Sequence, residues 1–352
     1  MVIRDWSSDV CSSDLVAKLG AGRITFSGAN TFIGDIAVQA GDLFFSNASG
    51  LAAGYVGAVS VANESSVGYS AAGGATLLAG RLTAASSGYL TLFAGNAADD
   101  VDFSALPDMK LAFQGVPNYT GTFTPYPGRY TFKIEGSTVT NAAVLTDDGA
   151  TPGRLTVTGV SGGAMVLTGD STFTGGAEID AATVTLGHVN ALGIQATPGV
   201  PDVELRNGAA LRFVAAMDIN AFVANRLTTT SSGFLLVGAA NAAQDIDLSA
   251  HPGIVVGSAE LSLDYTGTLT PSPAAGAYRL GGGNTTYVGQ SHRGLSVSNL
   301  ADSAGATPVV IGAPGIVELK TGNTYSGGTV VTNRGVLFIK EDGLGAVPPS
   351  AD

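Results

Sequence analysis

Cysteine, tryptophan and histidine are almost missing from this sequence, whose 352 residues hold one Cys, one Trp and three His. A lone thiol builds no disulfide framework and no thiolate metal site, so disulfide-scaffold and zinc-finger classes are excluded. Charge is scarce as well, at 12% of residues, and basic charge is the scarcer: 16 Lys and Arg stand against 28 Asp and Glu, a formal net charge of −12. A polyanion partner needs a basic face that this balance does not supply, so nucleic acid is excluded as a partner. No uninterrupted apolar run of about 18 residues occurs, and hence no transmembrane helix. Helical periodicity with capping pairs is nearly absent. In contrast, 45% of residues are hydrophobic and 50 are glycine. The first figure excludes a disordered chain, and the second, spread evenly along the sequence, calls for many tight turns.

The single Trp6 and the single Cys11 both fall in Asp5-Trp-Ser-Ser-Asp-Val-Cys-Ser-Ser-Asp-Leu15. That string resembles the conceptual translation of a sequencing-library adapter. Residues 1–15 are therefore expected to be a non-native, unstructured scar, and the authentic chain to be cysteine-free. The true N-terminus is then expected to lie outside this sequence. Because Asp352 interrupts a pattern already shown twice, a truncation is expected there too.

That pattern is an internal repeat. Ala29-Asn-Thr-Phe-Ile-Gly34, Asp170-Ser-Thr-Phe-Thr-Gly-Gly176 and Gly322-Asn-Thr-Tyr-Ser-Gly-Gly328 continue in step. After the aromatic (Phe32, Phe173, Tyr325) an aliphatic residue follows six positions on, at Val38, Ile179 or Val331. Apolar i, i+2 pairs come next: Leu43 and Phe45, Val184 and Leu186, Leu337 and Ile339. Side chains at i and i+2 of a strand share a face, so each pair is expected to point inward. Between these copies a longer unit recurs. Arg81-Leu-Thr returns as Arg226-Leu-Thr, Asp100-Val-Asp-Phe-Ser-Ala105 as Asp245-Ile-Asp-Leu-Ser-Ala250, and Gly149-Ala-Thr-Pro152 as Gly305-Ala-Thr-Pro308. The period is about 145 residues, giving units at 16–162 and 163–316 and the start of a third at 317–352.

Short strands such as Arg154-Leu-Thr-Val-Thr158 and Asp202-Val-Glu-Leu205, bounded by Gly, Asn, Asp and Pro, leave a sandwich, a propeller or a parallel solenoid. The repetition, with turn-flanking Thr, Val, Asn and Gly placed for ladders, favours an all-β parallel β-solenoid. At about 22 residues per rung and about 4.8 Å between stacked strands, residues 16–352 are expected to form on the order of 15 rungs over about 70 Å.

The string Leu319-Lys-Thr-Gly-Asn-Thr-Tyr-Ser-Gly-Gly-Thr-Val-Val-Thr-Asn-Arg-Gly-Val-Leu-Phe338, followed by Asp342-Gly-Leu-Gly345, resembles the autotransporter-associated β-strand repeat, also called the passenger-associated transport repeat. Residues 167–193 and 28–54 match it more loosely. Gly327 and Gly328 fall on the family's paired glycines, as do Gly175 and Gly176, whereas Gly34-Asp35 departs from the pair. The resemblance implies a right-handed parallel β-helix passenger at the bacterial cell surface, helped outward by vectorial folding. It implies no catalytic residue. The outer-membrane translocator such passengers need is expected outside this sequence.

Candidate chemistry is sparse. Asp100 and Asp102, with Asp245 and Asp247, form Asp-x-Asp pairs whose carboxylates share a strand face. Such a face could hold Ca²⁺, the only cofactor suggested, or serve as acid and base in a polysaccharide-degrading β-helix. The structural reading, a solvated face opposite inward Val101, Phe103, Ile246 and Leu248, is favoured because an enzyme seldom duplicates its active site in every unit. Gly159-Val-Ser-Gly-Gly163 fits the nucleophile-elbow pattern, but no helix follows it, and His188, His251 and His292 lack triad spacing. Phe32, Phe173 and Tyr325 read as a core stack, while Tyr119 and Tyr265 are divided between core and groove. The sequons at Asn47, Asn63, Asn118 and Asn284 carry little weight in a bacterial chain.

The sequence thus points to a non-catalytic surface module, a stalk or adhesin whose partners are host, surface or matrix carbohydrate or protein, or further copies of itself. Two alternatives stand beside it. One is a β-helix polysaccharide lyase or glycoside hydrolase; the other is a calcium-stabilised surface-layer or matrix protein.

Overall fold

The computed structural model describes residues 2–3, 15–52, 54–160, 162–283, 294–303, 305–312, 315–340 and 343–346. Trp6, Cys11, Ser161, Asn284, His292 and Asp342 lie outside the described residues. The fold is all-β, and among the described residues the pairings are parallel apart from one two-residue strand pair and the isolated Asp148–Thr151 bridge. Contacts group it into two compact units: Met1–Val166 with Thr172–Gly175, and Leu167–Ser171 with Gly176–Asp352. Each unit is a β-solenoid.

In the first unit, strands Arg23–Phe26, Asp42–Phe45, Ser66–Tyr69, Tyr89–Leu92, Lys110–Gln114, Arg129–Glu135 and Arg154–Val160 stack in that order, every pair parallel. Val16–Lys18, Ile36–Val38 and Val59–Val61 form a second stack. Val2–Ile3 pair with Val16–Lys18, antiparallel. Period-2 alternation sets the faces: Leu43 aligns with Val67 and Val67 with Leu90, all buried, so like residues form an internal ladder. On the outward face the middle rungs carry small side chains, Ser66, Gly68, Thr91 and Ala112, which let the sheet curl. Arg23 on the first strand accordingly lies 3.7 Å from Glu135 on the sixth. Five spacings of a flat stack, about 24 Å, would keep them apart.

The second unit pairs Ala177–Asp180 with Val203–Arg206. Its main stack runs Thr183–Leu186, Ala209–Phe213, Ser232–Val237, Gly253–Ser258, Tyr278–Gly283, Val309–Ile311, Thr329–Val331. A further stack joins Ser262–Tyr265, Gly294–Val297, Gly315–Leu319 and Gly335–Ile339. Val184, Leu211, Leu235, Val256, Leu280 and Ile311 make one continuous buried row.

Leu43, Phe45, Val184 and Leu186 are buried, as the i, i+2 pattern requires. The third pair differs. Leu337 is half-buried and Ile339 is 51% exposed, although they align with the buried Val317 and Leu319. Among the described residues no strand covers the other side of Gly335–Ile339, and an inward side chain is closed off only when a second rung lies on it.

Two short helices, Gly74–Ala79 and Ile219–Asn225, stand at the same place in the repeat, each followed by a single 3₁₀ turn at Ala94–Asn96 or Ala239–Asn241. The first has no side-chain cap of its own and its start is held from the next rung by Asp99, whereas the second is capped by Asp218, which accepts from the Ala221 N–H, as well as by Gln244 from the next rung. Among the described residues no helix is long and apolar enough to cross a membrane.

Candidate functional site

The four aspartates singled out in the sequence are exposed, and Val101, Phe103, Ile246 and Leu248 beside them are buried. Each carboxylate is engaged by backbone. Asp100 accepts from the Thr122 N–H and Asp245 from the Thr268 N–H, both at 2.7 Å; Asp102 accepts from Ser104 and Asp247 from Ser249, both at 2.8 Å. Hydrogen bonds from Ser104 hold the Asp102 carboxyl below the ordinary carboxylate range, and the Thr268 amide does the same for Asp245. The first aspartate of each pair thus staples its rung to the next, and the second closes a local Asx turn. Among the described residues no three Asp, Glu, His or Cys side chains gather where they could hold a metal ion.

A more elaborate carboxylate site surrounds the repeated aromatic. Asp147 Oδ1 accepts from the Gly153 N–H at 2.6 Å and the Thr174 N–H at 2.8 Å, and Oδ2 accepts from the Thr174 hydroxyl at 2.8 Å. Asp302 repeats the arrangement with the Thr307 N–H (2.8 Å), the Ser326 N–H (2.9 Å) and the Ser326 hydroxyl (2.6 Å). Burial raises the Asp147 pKa, but the bonds from Gly153 and Thr174 outweigh it and the net shift is downward. The Asp302 carboxyl is likewise held low, chiefly by Ser326. Leu145 and Leu300 carbonyls accept from the aromatic's own amide and the one before it. The Tyr130 and Tyr278 hydroxyls donate to the carbonyls of Thr146 and Ala301, at 2.8 Å each. Phe173 and Tyr325, which directly precede the clamped Thr174 and Ser326 amides, are fully buried, and the Phe173 ring lies 6.2 Å from that of Tyr130. Phe32 is half-buried against Phe45 and Tyr55, and its following residue is the exposed Ile33, which has no hydroxyl to offer a clamp.

The paired glycines complete this turn, each for its own reason. A Cβ on Gly175 would stand 2.6 Å from the Gly153 carbonyl oxygen, and one on Gly327 would collide with Pro308. Gly176 and Gly328 have φ of 76° and 80°, a conformation that glycine adopts without a steric penalty.

The sequence reading overlooked the fully buried Asn96 and Asn241. Asn96 donates to the carbonyl of Ala71 (2.7 Å) and to Asp99 (2.9 Å), and accepts from the Phe93 N–H. Asp99 accepts from the Gly73 and Ala75 amides at the start of the first helix. Asn241 donates to the Phe213 and Ala215 carbonyls and accepts from the Met217 N–H, while Gln244 takes the place of Asp99 and accepts from the Ile219 N–H. The signal was available: Asn-Ala-Ala directly precedes Asp99-Asp100 and Gln244-Asp245 in both units. Asp147 and Asp302 could be found in the same way, just upstream of Gly-Ala-Thr-Pro.

Tyr119 and Tyr265 belong to the core: both are buried, and each hydroxyl donates across a rung, to Asp99 or Gln244 carbonyl oxygen at 2.9 and 2.7 Å. Burial pushes both phenols well above their ordinary range. His188 lies half-exposed, 3.5 Å from Asp170. His251 is buried, and its Nδ1 has no hydrogen-bond partner among the described residues.

Parallel rungs, side-chain brackets between consecutive rungs and a period of about 145 residues define a tandem-repeat β-solenoid. Within it, residues 16–43, 155–186 and 314–337 match the passenger-associated-transport-repeat family. The chain therefore carries the autotransporter passenger repeat three times. The matched segments begin upstream of the strings read from sequence and take in the strands before the aromatic turn. No curated protein and no solved structure matches the chain. Fold and repeat agree in placing a passenger-type transport repeat on a β-solenoid.

Proposed function

We propose that this chain is a non-catalytic segment of a bacterial surface passenger, presenting a long repetitive face as stalk or adhesive surface. The observation that carries the reading is the recurrence of the transport repeat on rungs whose polar side chains are spent on holding neighbouring rungs together. Adhesion through such a face works by repetition, because linked weak contacts raise avidity without a strong single site. The carboxylates that an enzyme would use recur in both units and accept from backbone amides, which supports a structural role.

Fusion of residues 16–352 to an outer-membrane translocator barrel tests this reading. On intact cells the solenoid should be reached by antibody and should survive protease treatment as a large fragment. Retention inside the cell, or digestion to small peptides at the surface, would sink it.

A further inference from the structure

The outward face carries a groove at the same place in both units, and the two grooves are lined differently. In the first unit it measures about 300 Å³ and includes Lys110 and Arg129, both already neutralised: Lys110 by Glu64 at 3.3 Å and Arg129 by Asp108 at 3.2 Å. In the second unit it measures about 270 Å³. There the repeat puts Gly208 where Glu64 stands, Val255 where Lys110 stands, and keeps an aromatic, Phe234 for Tyr89. The frame around it is retained, with Tyr265 and Asp302 making the hydrogen bonds of Tyr119 and Asp147, and Asn241, like Asn96, donating to a carbonyl of the preceding rung.

We propose that the second groove binds an acidic saccharide, a uronate-bearing stretch of polysaccharide. Its floor is Phe234, half-buried, with Val255 and Val310 beside it, an apolar surface suited to the C–H face of a pyranose ring. A Cβ at Gly208 would stand 3.9 Å from Phe234 Cε2, so a longer side chain at this position would reach over the ring that glycine leaves uncovered. Ser232, Thr332 and Asn333 set hydroxyl and amide groups along the rim, matching a ligand with many hydroxyls. Arg279 is the single cation of the lining, and among the described residues the lining has no carboxylate, although the whole chain carries an excess of acid. Arg279 is held in place by donation to the Pro252 carbonyl at 2.8 Å. A planar guanidinium fixed beside an apolar floor selects a carboxylate carried on a sugar ring. The first groove, whose cations are paired, serves as the internal contrast.

The inference deepens the surface-passenger reading, and its test stands apart from that reading's. Calorimetry on the purified chain uses α-1,4-linked tetragalacturonate as probe and its methyl ester as the neutral counterpart. The acid form should bind with one site per chain, and esterification or Arg279→Gln should weaken it about tenfold. Gly208→Glu restores the residue type that Glu64 supplies at φ 58° in the other unit, so the fold should tolerate it while saccharide binding is lost. Phe234→Leu keeps the apolar packing and should weaken acid and ester alike. Equal binding of acid and ester, full affinity in Arg279→Gln or Gly208→Glu, or no binding of the acid form overturns the proposal. Equal competition by a tetraglutamate peptide overturns it in favour of an acidic peptide. Failure of surface display would leave these binding results untouched.

Discussion

The Asp302 carboxylate takes both the backbone N–H and the hydroxyl of Ser326, 24 residues further along the chain, and Asp147 does the same with Thr174. Each clamp fixes the turn that carries the buried aromatic of the transport repeat. Replacing Asp147 by Ala leaves three donors without their acceptor and should cost about 2 kcal/mol. Thr174→Val, which removes only the hydroxyl, should cost less. Urea denaturation of the two variants checks the order, and an Asp147→Ala midpoint equal to wild type would remove the clamp from the account.

Asn241 is buried and satisfies both its amide and its carbonyl. Asn241→Leu leaves the Ala215 carbonyl and the Met217 amide without this partner, while the Phe213 carbonyl keeps the Gly238 N–H, with an expected loss of about 2–4 kcal/mol. The same substitution at Asn96 should match it, since the bracket is duplicated. Hydrogen exchange should show the loss first in the helix-bearing rungs.

The two glycines of the turn should respond differently to Ala. Gly327→Ala forces backbone against Pro308, whereas a Cβ at Gly328 meets nothing within 4 Å and costs only the strain of a positive φ, about 1 kcal/mol. Thermal melting of both variants decides whether close approach outweighs dihedral strain here.

Val184→Asp places a carboxylate in the continuous row between consecutive rungs, next to Leu211. The cost of an unpaired buried charge, several kcal/mol, should unfold this rung and its neighbours. Unchanged denaturant resistance would show that Val184 does not face the core.

Burial holds the His251 pKa below 6.5, against the pull of the Thr228 and Val223 carbonyls and of Asp247. The folded state therefore keeps the ring neutral, while the unfolded chain takes up a proton below pH 6.5. Stability is full above that value and falls as the pH drops through the window below it. The repeat places Leu106, also buried, at the equivalent position, with the same local amide bond to the third residue back. His251→Leu should hence remove the difference in urea midpoint between pH 7.5 and pH 5.5. Persistence of that difference would assign it to another group.

The all-β class, the parallel solenoid and the period of about 145 residues could be read from sequence because each rests on local pattern. Alternation at Leu43 and Phe45 or Val184 and Leu186 fixes which way a side chain points, and the paired glycines mark a turn that few other residues can make. Such signals need only neighbours in the chain. Tertiary structure alone decided what the polar residues do. Asp100, read as a free carboxylate on a strand face, meets the Thr122 amide, and Asn96 holds a helix start in another rung; both partners stand more than 20 residues away and come within reach only when rungs stack. The exposure of Ile339 has the same origin, since an inward direction is a property of one strand but burial requires two. So, too, with the groove at Phe234: its aromatic floor lies on one strand, and the Arg279 and Asn333 that give it a chemistry arrive from rungs added later.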